Sequence, residues 1–180
     1  MNIRQAKFED SAGIAHVQVD SYRTAYAGIF PQAYLEHFTY EEQTQDWREL
    51  LSAGPAVVLY VAETDAGEIV GYALGRPDPN EFPPYESELV ALHVRKAYQH
   101  QGIGQRLIAA VATHLKQEGC ASLMLWTLAQ NPSRGLYERL GGLWLAEKDW
   151  GGNEDFGVAV QEVAYGWTSI ESLATLETKK

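Results

Sequence analysis

The stretch QHQGIG at residues 99–104 has the clearest chemical potential in this chain. It lies between a predicted strand that ends near Val94 and a predicted helix that starts near Gly102. Amide N–H groups in the first turn of a helix have no partner within the helix, and the helix dipole adds partial positive charge there. Glycine at positions such as Gly102 and Gly104 lets an anion approach the main chain closely. The turn therefore predicts a site for a phosphate or diphosphate group.

Basic side chains surround this turn, although the chain as a whole is acidic, with a formal net charge of -10 at pH 7. They are Arg95, Lys96, His100 and Arg106. The overall charge argues against non-specific nucleic-acid binding and mildly favours a cationic substrate. We therefore expect no nucleic-acid partner.

The glycine pair alone is also compatible with a turn that serves only packing. A Rossmann fingerprint would need a third glycine where Leu107 stands, and a P-loop would need Gly-Lys followed by Ser or Thr, which is absent. Neither of these two nucleotide motifs is therefore predicted.

Other reactive or membrane-directed features are lacking in the sequence. Cys120 is the only cysteine, so an intrachain disulfide cannot form, and we expect a cytoplasmic location and a small buried side chain. The five histidines show no metal-ligand spacing, so no metal is expected. No apolar run approaches the roughly 20 residues that span a bilayer, and residues 1–10 lack the apolar core of a signal peptide. No membrane partner is therefore expected.

Strand and helix patterns follow one another through residues 1–167, and residues 168–180 are predicted as a C-terminal tail, weakly helical or disordered. Predicted strands cover residues 2–5, 56–63, 68–75, 87–94, 121–127, 142–150 and 158–167, and predicted helices cover residues 11–26, 31–38, 40–52, 102–118 and 132–140. Thr39 with Glu42 predicts a capping box for the third helix. With 180 residues and 46% hydrophobic side chains, we expect a single domain of the α+β or α/β class.

At this point the sequence resembles the GNAT acetyltransferases. Their central motif is Arg/Gln-x-x-Gly-x-Gly/Ala after an apolar strand. Here it is present as Gln99-x-x-Gly102-x-Gly104 after the apolar residues 88–94.

A second block strengthens the resemblance. The family has an Asn followed by a short helix bearing Leu/Phe-Tyr-Glu-x-x-Gly, which is matched by Asn131 and by LYERLG at residues 136–141. Two blocks in the right order are more specific than either alone. The clear match covers residues 87–142, and it departs from the family at Gly142, where an aromatic residue is usual.

The resemblance implies a GNAT-type mixed, mostly antiparallel central sheet of about six to seven strands with about four flanking helices, splayed between strands four and five. It also implies acetyl-CoA as cosubstrate, with its pantetheine arm paired to main-chain groups of residues 92–94 and its diphosphate held by the amides of residues 101–105. The implied cofactor-binding residues are Leu92, His93, Val94, Gln99, His100, Gln101, Gly102, Ile103, Gly104, Gln105, Asn131 and Tyr137.

Acetyl transfer needs a neutral amine, yet an alkylammonium with a pKa of about 10.4 is almost fully protonated at pH 7. A base is therefore required, and a nearby hydroxyl can assist departure of the thiolate. Tyr137 matches the family position that serves as this general acid; simple packing is its alternative role. Glu88, at the start of the fourth strand, is the candidate base, directly or through water, or else only a strand-end charge. His93 and Glu86 are rivals, and strand alternation puts His93 on the face opposite Glu88 unless a bulge shifts the register.

By the same resemblance, the acceptor lies between the first helices and the sheet, which makes Tyr22, Tyr26 and Phe30 candidate lining residues. Aromatic residues at this spacing also occur in cores. Trp126, Trp144, Trp150 and Trp167 are expected in the core or in contacts of a homodimer.

The leading hypothesis is an N-acetyltransferase that moves an acetyl group directly to a primary amine, on a small molecule in preference to a peptide or protein. A non-catalytic acyl-CoA-binding sensor is the alternative, and it would not need Tyr137. A protein N-terminal acetyltransferase is the third hypothesis, and it would act on peptides.

Overall fold

The computed structural model describes residues 1–54, 57–77, 84–150 and 160–178. Within them the strands are β1 (Asn2–Gln5), β2 (Val58–Glu63), β3 (Ile69–Pro77), β4 (Ser87–Val94), β5 (Leu123–Leu128), β6 (Leu143–Asp149) and β7 (Gln161–Trp167). The α-helices of the same residues are α1 (Ser11–Ala25), α2 (Gln32–Glu36), α3 (Tyr40–Ser52), α4 (Ile103–Gln117), α5 (Arg134–Arg139) and α6 (Glu171–Ala174).

The strands form one mixed sheet in the order β1-β2-β3-β4-β5-β7-β6. Every neighbouring pair is antiparallel except β4 and β5, which run parallel and share one register position, Glu88 opposite Met124. Beyond that position β4 pairs only with β3, and β5 pairs only with β7. The two central strands therefore separate, and the predicted split between strands four and five is confirmed.

A bulge interrupts β4 at Val90. Leu74 of β3 faces Ala91, whereas its neighbour Gly75 faces Leu89, so Val90 has no partner in β3. An extra residue in one strand shifts the alternation of the side chains that follow it. Glu88 and His93 therefore lie on the same face of the sheet, contrary to what simple alternation predicts.

The sheet separates two apolar layers. One face is covered by α4, whose apolar side follows the helical period and is fully buried. The opposite face is covered by α1 and α3, where Ile14, Val17 and Trp47 pack against Tyr72. Burial of each large aliphatic side chain contributes about 1.5–3 kcal/mol, so these layers hold both sides of the split sheet in place.

Helix ends agree with the predicted boundaries to within a few residues. The third helix begins where its cap predicts, because the Thr39 hydroxyl accepts a hydrogen bond from the Glu42 amide at 3.2 Å and donates to the Glu42 carboxylate at 2.7 Å. The predicted helix at residues 31–38 is shorter, at Gln32–Glu36. In the predicted tail, α6 places Leu173 fully buried in the layer beside α4.

Packing explains the departure from the family pattern at Gly142. A Cβ atom at this position would lie 2.7 Å from Cζ2 of Trp167 and 3.0 Å from the main-chain oxygen of Tyr137. The Trp167 ring is buried there, and its Nε1 donates a hydrogen bond to the Leu140 oxygen at 2.8 Å. An indole from β7 thus leaves no room for a side chain on Gly142.

Candidate active site

A cavity of about 330 Å³ lies where β4 and β5 separate. Its walls come from both apolar layers: Leu92 and Tyr137 pack with the layer beside α4, whereas Tyr72 and Ala91 pack with the layer beside α1. The cavity therefore links the two sides of the sheet. A ligand held on one side can meet a second ligand held on the other.

The cavity brings together many of the predicted site residues. Those that line it are Tyr22, Tyr26, Phe30, Leu92, His93, Asn131 and Tyr137. Val94 and the glycine turn at residues 99–105 lie outside its lining, at the end of β4 and the start of α4, and so does Glu88.

The glycine turn at the start of α4 is the predicted anion site, and its main-chain amides are open. Gly102 begins the helix with φ of +76°, a left-handed conformation that favours glycine, and a Cβ atom there would meet nothing within 4 Å. Within the described ranges, the amides of residues 101–105 donate to no main-chain or side-chain acceptor. These donors and the helix dipole can bind a diphosphate.

Two glutamine side chains hold the shape of this turn. The Nε2 atom of Gln99 donates to the Val94 oxygen at 2.9 Å, and Nε2 of Gln101 donates to the Ala97 oxygen at 3.3 Å. His100 between them adopts a positive φ of 60°, which is uncommon outside glycine. Hydrogen bonds from these two side chains therefore help to hold the conformation of the turn.

Tyr137 lies at the wall of the cavity on α5 and is only 5% exposed. Burial raises the pKa of its phenol to about 12, so the hydroxyl keeps its proton at neutral pH. No hydrogen bond joins this hydroxyl to any residue in the described part of the chain. Its proton is available to a group that enters the cavity.

Asn131 fixes the chain between β5 and α5. Its Nδ2 donates to Oγ1 of Thr127 at 2.8 Å, and its Oδ1 accepts from the amide of Ser133 at 2.8 Å. The side chain thus forms a turn ahead of the helix, which begins at Arg134 and not at residue 132 as the sequence predicts. Asn131 lines the cavity and also orients the helix that carries Tyr137.

The candidate bases have different surroundings. Glu88 is buried and its Oε2 accepts from Arg76, with distances of 2.9 Å to Nε and 2.7 Å to Nη2. Glu86 accepts from the amide of Ala121 at 2.6 Å, which ties it to the chain before β5. Burial lowers the pKa of His93 to about 4, so this imidazole is neutral and a weak base at pH 7.

Aromatic side chains form most of the wall on the α1 side. The Tyr22 and Tyr26 rings meet edge to face at 5.0 Å, and Tyr26 meets Phe30 at 5.8 Å. Trp150 extends this wall, with its ring 4.9 Å from Phe30, and Trp126 contributes from β5.

Several wall residues were not anticipated from the sequence. They are Tyr34, Trp47, Tyr72, Trp126, Trp150 and Glu162, of which the two tryptophans were expected in the core or at a dimer contact. Strand alternation separates the faces of a sheet but does not show beside which strand a gap opens. Trp167 lies in the core as predicted, whereas Trp144 is 57% exposed on β6.

The described residues lack two further features. No helix there has the length and apolar character that crossing a membrane requires. No group of three or more His, Cys, Asp or Glu side chains in those ranges is arranged to hold a metal ion.

Comparison with known proteins agrees with this geometry. Residues 19–142 match the acetyltransferase (GNAT) family, and the chain belongs to that family. It is 35% identical over 176 residues to the uncharacterized N-acetyltransferase YuaI of Bacillus subtilis, with 98% of each chain covered. The predicted family and its enzymatic class, an N-acetyltransferase, are thus confirmed.

Two further similarities come from Thermoplasma acidophilum. Its spermidine N(1)-acetyltransferase is 23% identical over 134 residues, which cover 73% of this chain and 80% of that protein. The crystal structure of its PaiA N-acetyltransferase in complex with coenzyme A has a TM-score of 0.66 at 19% identity, covering 92% of this chain and 98% of that one. This structural likeness establishes the shared fold.

Proposed function

We propose that this protein transfers an acetyl group from acetyl-CoA directly to a primary amine of a small molecule, without an acyl-enzyme. The observation that carries the proposal is the cavity between β4 and β5, which joins the two sides of the sheet and has Tyr137 in its wall. Direct transfer requires both substrates to meet in one place, and this cavity supplies that place.

The donor side fits acetyl-CoA. The amides of residues 101–105 match a diphosphate, and the edge of β4 at residues 92–94 has no β5 partner, so its main chain suits an extended pantetheine arm. When bound, acetyl-CoA supplies a thioester carbonyl for attack. PaiA, which shares the fold, holds coenzyme A in its crystal structure and supports this assignment.

Tyr137 is assigned as the general acid. Its buried phenol keeps a proton at neutral pH, and Oη is the atom that delivers this proton to the departing sulfur. An acyl-CoA sensor would not need such a hydroxyl, so the position of Tyr137 in the wall favours the enzyme over the sensor.

Glu88 is assigned as the base, through an intervening water. It is on the same face of the sheet as His93, and the next residue, Leu89, lines the cavity. The Arg76 guanidinium holds its carboxylate in place. The pKa of His93, which burial lowers to about 4, leaves its imidazole no more basic than an ordinary carboxylate.

The acceptor is assigned as a small molecule because aromatic side chains from α1 to Trp150 surround the cavity and restrict its volume. The similarity to a spermidine acetyltransferase is in line with an amine of this size. We also propose a cytoplasmic location, because the chain has a single cysteine. We further propose a homodimer that forms through the exposed Leu143 and Trp144 of β6.

Calorimetry with acetyl-CoA, followed by a panel of amines with detection of released thiol, tests the proposal. We expect micromolar to millimolar binding of acetyl-CoA and turnover of at least one small amine. Adenosine diphosphate serves as the matched control, because it offers the diphosphate without the pantetheine arm. Lack of acetyl-CoA binding at millimolar concentration would refute the enzyme and the sensor together, whereas binding without turnover of any amine or peptide would favour the sensor.

A further inference from the structure

The wall of the cavity carries a single charge. Among the described residues that line it, Glu162 of β7 is the only Asp or Glu, and no Lys or Arg is present. His93 adds no charge at neutral pH, because burial holds its pKa near 4. Glu162 is therefore the one ionised side chain among the described lining residues, and the remainder of the wall is aromatic, aliphatic or neutral polar, the last including Gln18, Thr127 and Asn131.

Glu162 lies close to the proposed centre of the reaction. It faces Leu128 across the β5–β7 pair, beside the end of β5, and its side chain is 19% exposed. Burial raises the pKa of Tyr26 to about 12, and Tyr137 and Glu162 act on the same phenol as further causes of that rise. The carboxylate, the Tyr26 phenol and the Tyr137 phenol all belong to residues that line the same cavity.

A cation is already found next to this carboxylate. Nζ of Lys148 lies 3.9 Å from Oε2 of Glu162 and 3.9 Å from the centre of the Trp126 ring. Lys148 reaches this position from β6 and is not part of the cavity lining. The pair shows that the Glu162 carboxylate and the Trp126 face together accommodate an ammonium group.

The same wall is unfavourable to an anion. Aromatic faces attract cations through the negative charge density of the ring and offer nothing comparable to a carboxylate. An acidic group in the cavity would meet Glu162, whereas the neighbouring cation Lys148 lies outside the described lining and is already paired with that carboxylate. Burial of a charge without a partner costs several kcal/mol, so such a ligand would bind poorly.

We propose that the acceptor is an organic ammonium with an aliphatic or aromatic body and no carboxylate or phosphate, and that Glu162 binds its ammonium group. This proposal rests on the proposed function and specifies its substrate class. Glu162 is then a binding residue that selects an amine over the corresponding amino acid.

Matched pairs that differ only by a carboxylate test the substrate class. We expect phenethylamine to exceed phenylalanine, and putrescine to exceed ornithine, by at least about 100-fold in kcat/KM, because like charges in a buried site cost several kcal/mol. Comparison within each pair holds the body of the molecule constant. Equal rates within the pairs, or a preference for the acids, would overturn the proposal.

The variant Glu162→Gln tests whether Glu162 binds the ammonium group of the acceptor. We expect it to raise KM for the preferred amine by about 10- to 100-fold while the Kd of acetyl-CoA changes by less than about 3-fold. Glu147→Gln is the matched control, because it removes the same charge from the exposed face of the neighbouring strand β6. Glu162→Asp keeps the charge and should restore part of the affinity.

Direct calorimetry with the amine separates this proposal from the proposed function. If no amine is acetylated but wild-type protein binds amines and Glu162→Gln does not, the binding site stands and acetyl transfer is refuted. If Glu162→Gln keeps the wild-type KM and amine affinity while circular dichroism shows it folded, the assignment of Glu162 is wrong.

Discussion

The two sides that we propose for the cavity would recognise their ligands by different means. The donor side, at residues 92–105, offers main-chain amides and an unpartnered strand edge. The acceptor side offers side chains from α1, α3, the β3–β4 pair and β7, which are far apart in the sequence. Main-chain groups are the same in every residue, so a glycine turn and a helix start suffice to mark the donor side. The acceptor side depends on the identity and position of each side chain.

In our proposal the two sides also prefer opposite charges. Amide donors and the dipole of α4 favour the anionic diphosphate, whereas Glu162 and the aromatic wall favour a cation. Tyr137 lies between them. Variants that change binding of one ligand and not of the other therefore test whether the two sides act separately.

The largest effect is expected for Tyr137→Phe, where the two sides meet. Loss of the general acid should lower kcat by about 10²- to 10³-fold, while the Kd of acetyl-CoA stays within about 3-fold of wild type. Steady-state kinetics and calorimetry measure these two quantities. An unchanged kcat would mean that this phenol serves packing alone.

The main chain of His93 belongs to the donor side, but its ring packs beside Tyr22 and Tyr72 on the acceptor side, where its burial should make stability depend on pH. Burial depresses its folded-state pKa to about 4, below its ordinary value of about 6.5, so below pH 6.5 the unfolded chain binds a proton that the folded protein does not. Stability from this residue is thus complete above pH 6.5 and falls by up to about 3 kcal/mol as the pH drops towards 4.

Urea unfolding of wild type and His93→Gln between pH 4 and pH 7.5 measures this loss. The difference between the two proteins should change across that window, since both share every other titrating group. A difference that is constant with pH would show that His93 titrates normally.

A smaller kinetic effect is expected for Glu88→Gln. Removal of the base should lower kcat by about 10- to 100-fold and flatten the acidic limb of the pH–rate profile. Glu86→Gln is the comparison, because the Glu86 carboxylate accepts from Ala121 and should change kcat by less than about 3-fold. If Glu86→Gln lowered kcat more than Glu88→Gln, Glu86 would be the base.

The smallest effects are expected on the donor side, from Gly102→Ala and Gly104→Ala. Gly102 has φ of +76°, so alanine should cost about 1 kcal/mol of stability and weaken acetyl-CoA binding. At Gly104 the new Cβ would lie 3.4 Å from Leu136, an ordinary contact, and the stability change should stay below about 0.5 kcal/mol. KM for the amine should be unaffected in both, and a raised amine KM would contradict the separation of the two sides.

Much of the fold could be predicted because local signals act within a few residues. Thr39 and Glu42 mark the start of α3, and the apolar period of α4 marks its buried face. Asn131 shows the limit of such signals. Its side chain accepts a hydrogen bond from the Ser133 amide, but this bond shapes a turn, and the helix starts at Arg134 and not at residue 132 as predicted.

The candidate site was predicted unevenly for the same reason. Tyr137 and the glycine turn belong to contiguous blocks, and Tyr22, Tyr26 and Phe30 follow one another along α1 and the chain after it. Glu162 lies in β7, which pairs with β6 on one side and with β5 on the other. β6 directly precedes β7 in the chain, whereas β5 is far away in the sequence. Its approach to Tyr26 could not be read from the spacing.

By itself the sequence determined the order of elements and the family, and it predicted an anion site at the start of α4, because each depends on neighbouring residues and on main-chain chemistry. Tertiary structure decided which side chains meet in the cavity. The opening of the cavity exists because β4 and β5 pair at one position only. The bulge at Val90 decides on which face of the sheet each later residue of β4 lies. Both features arise from packing between elements far apart in the chain, where no local pattern of residues reports them.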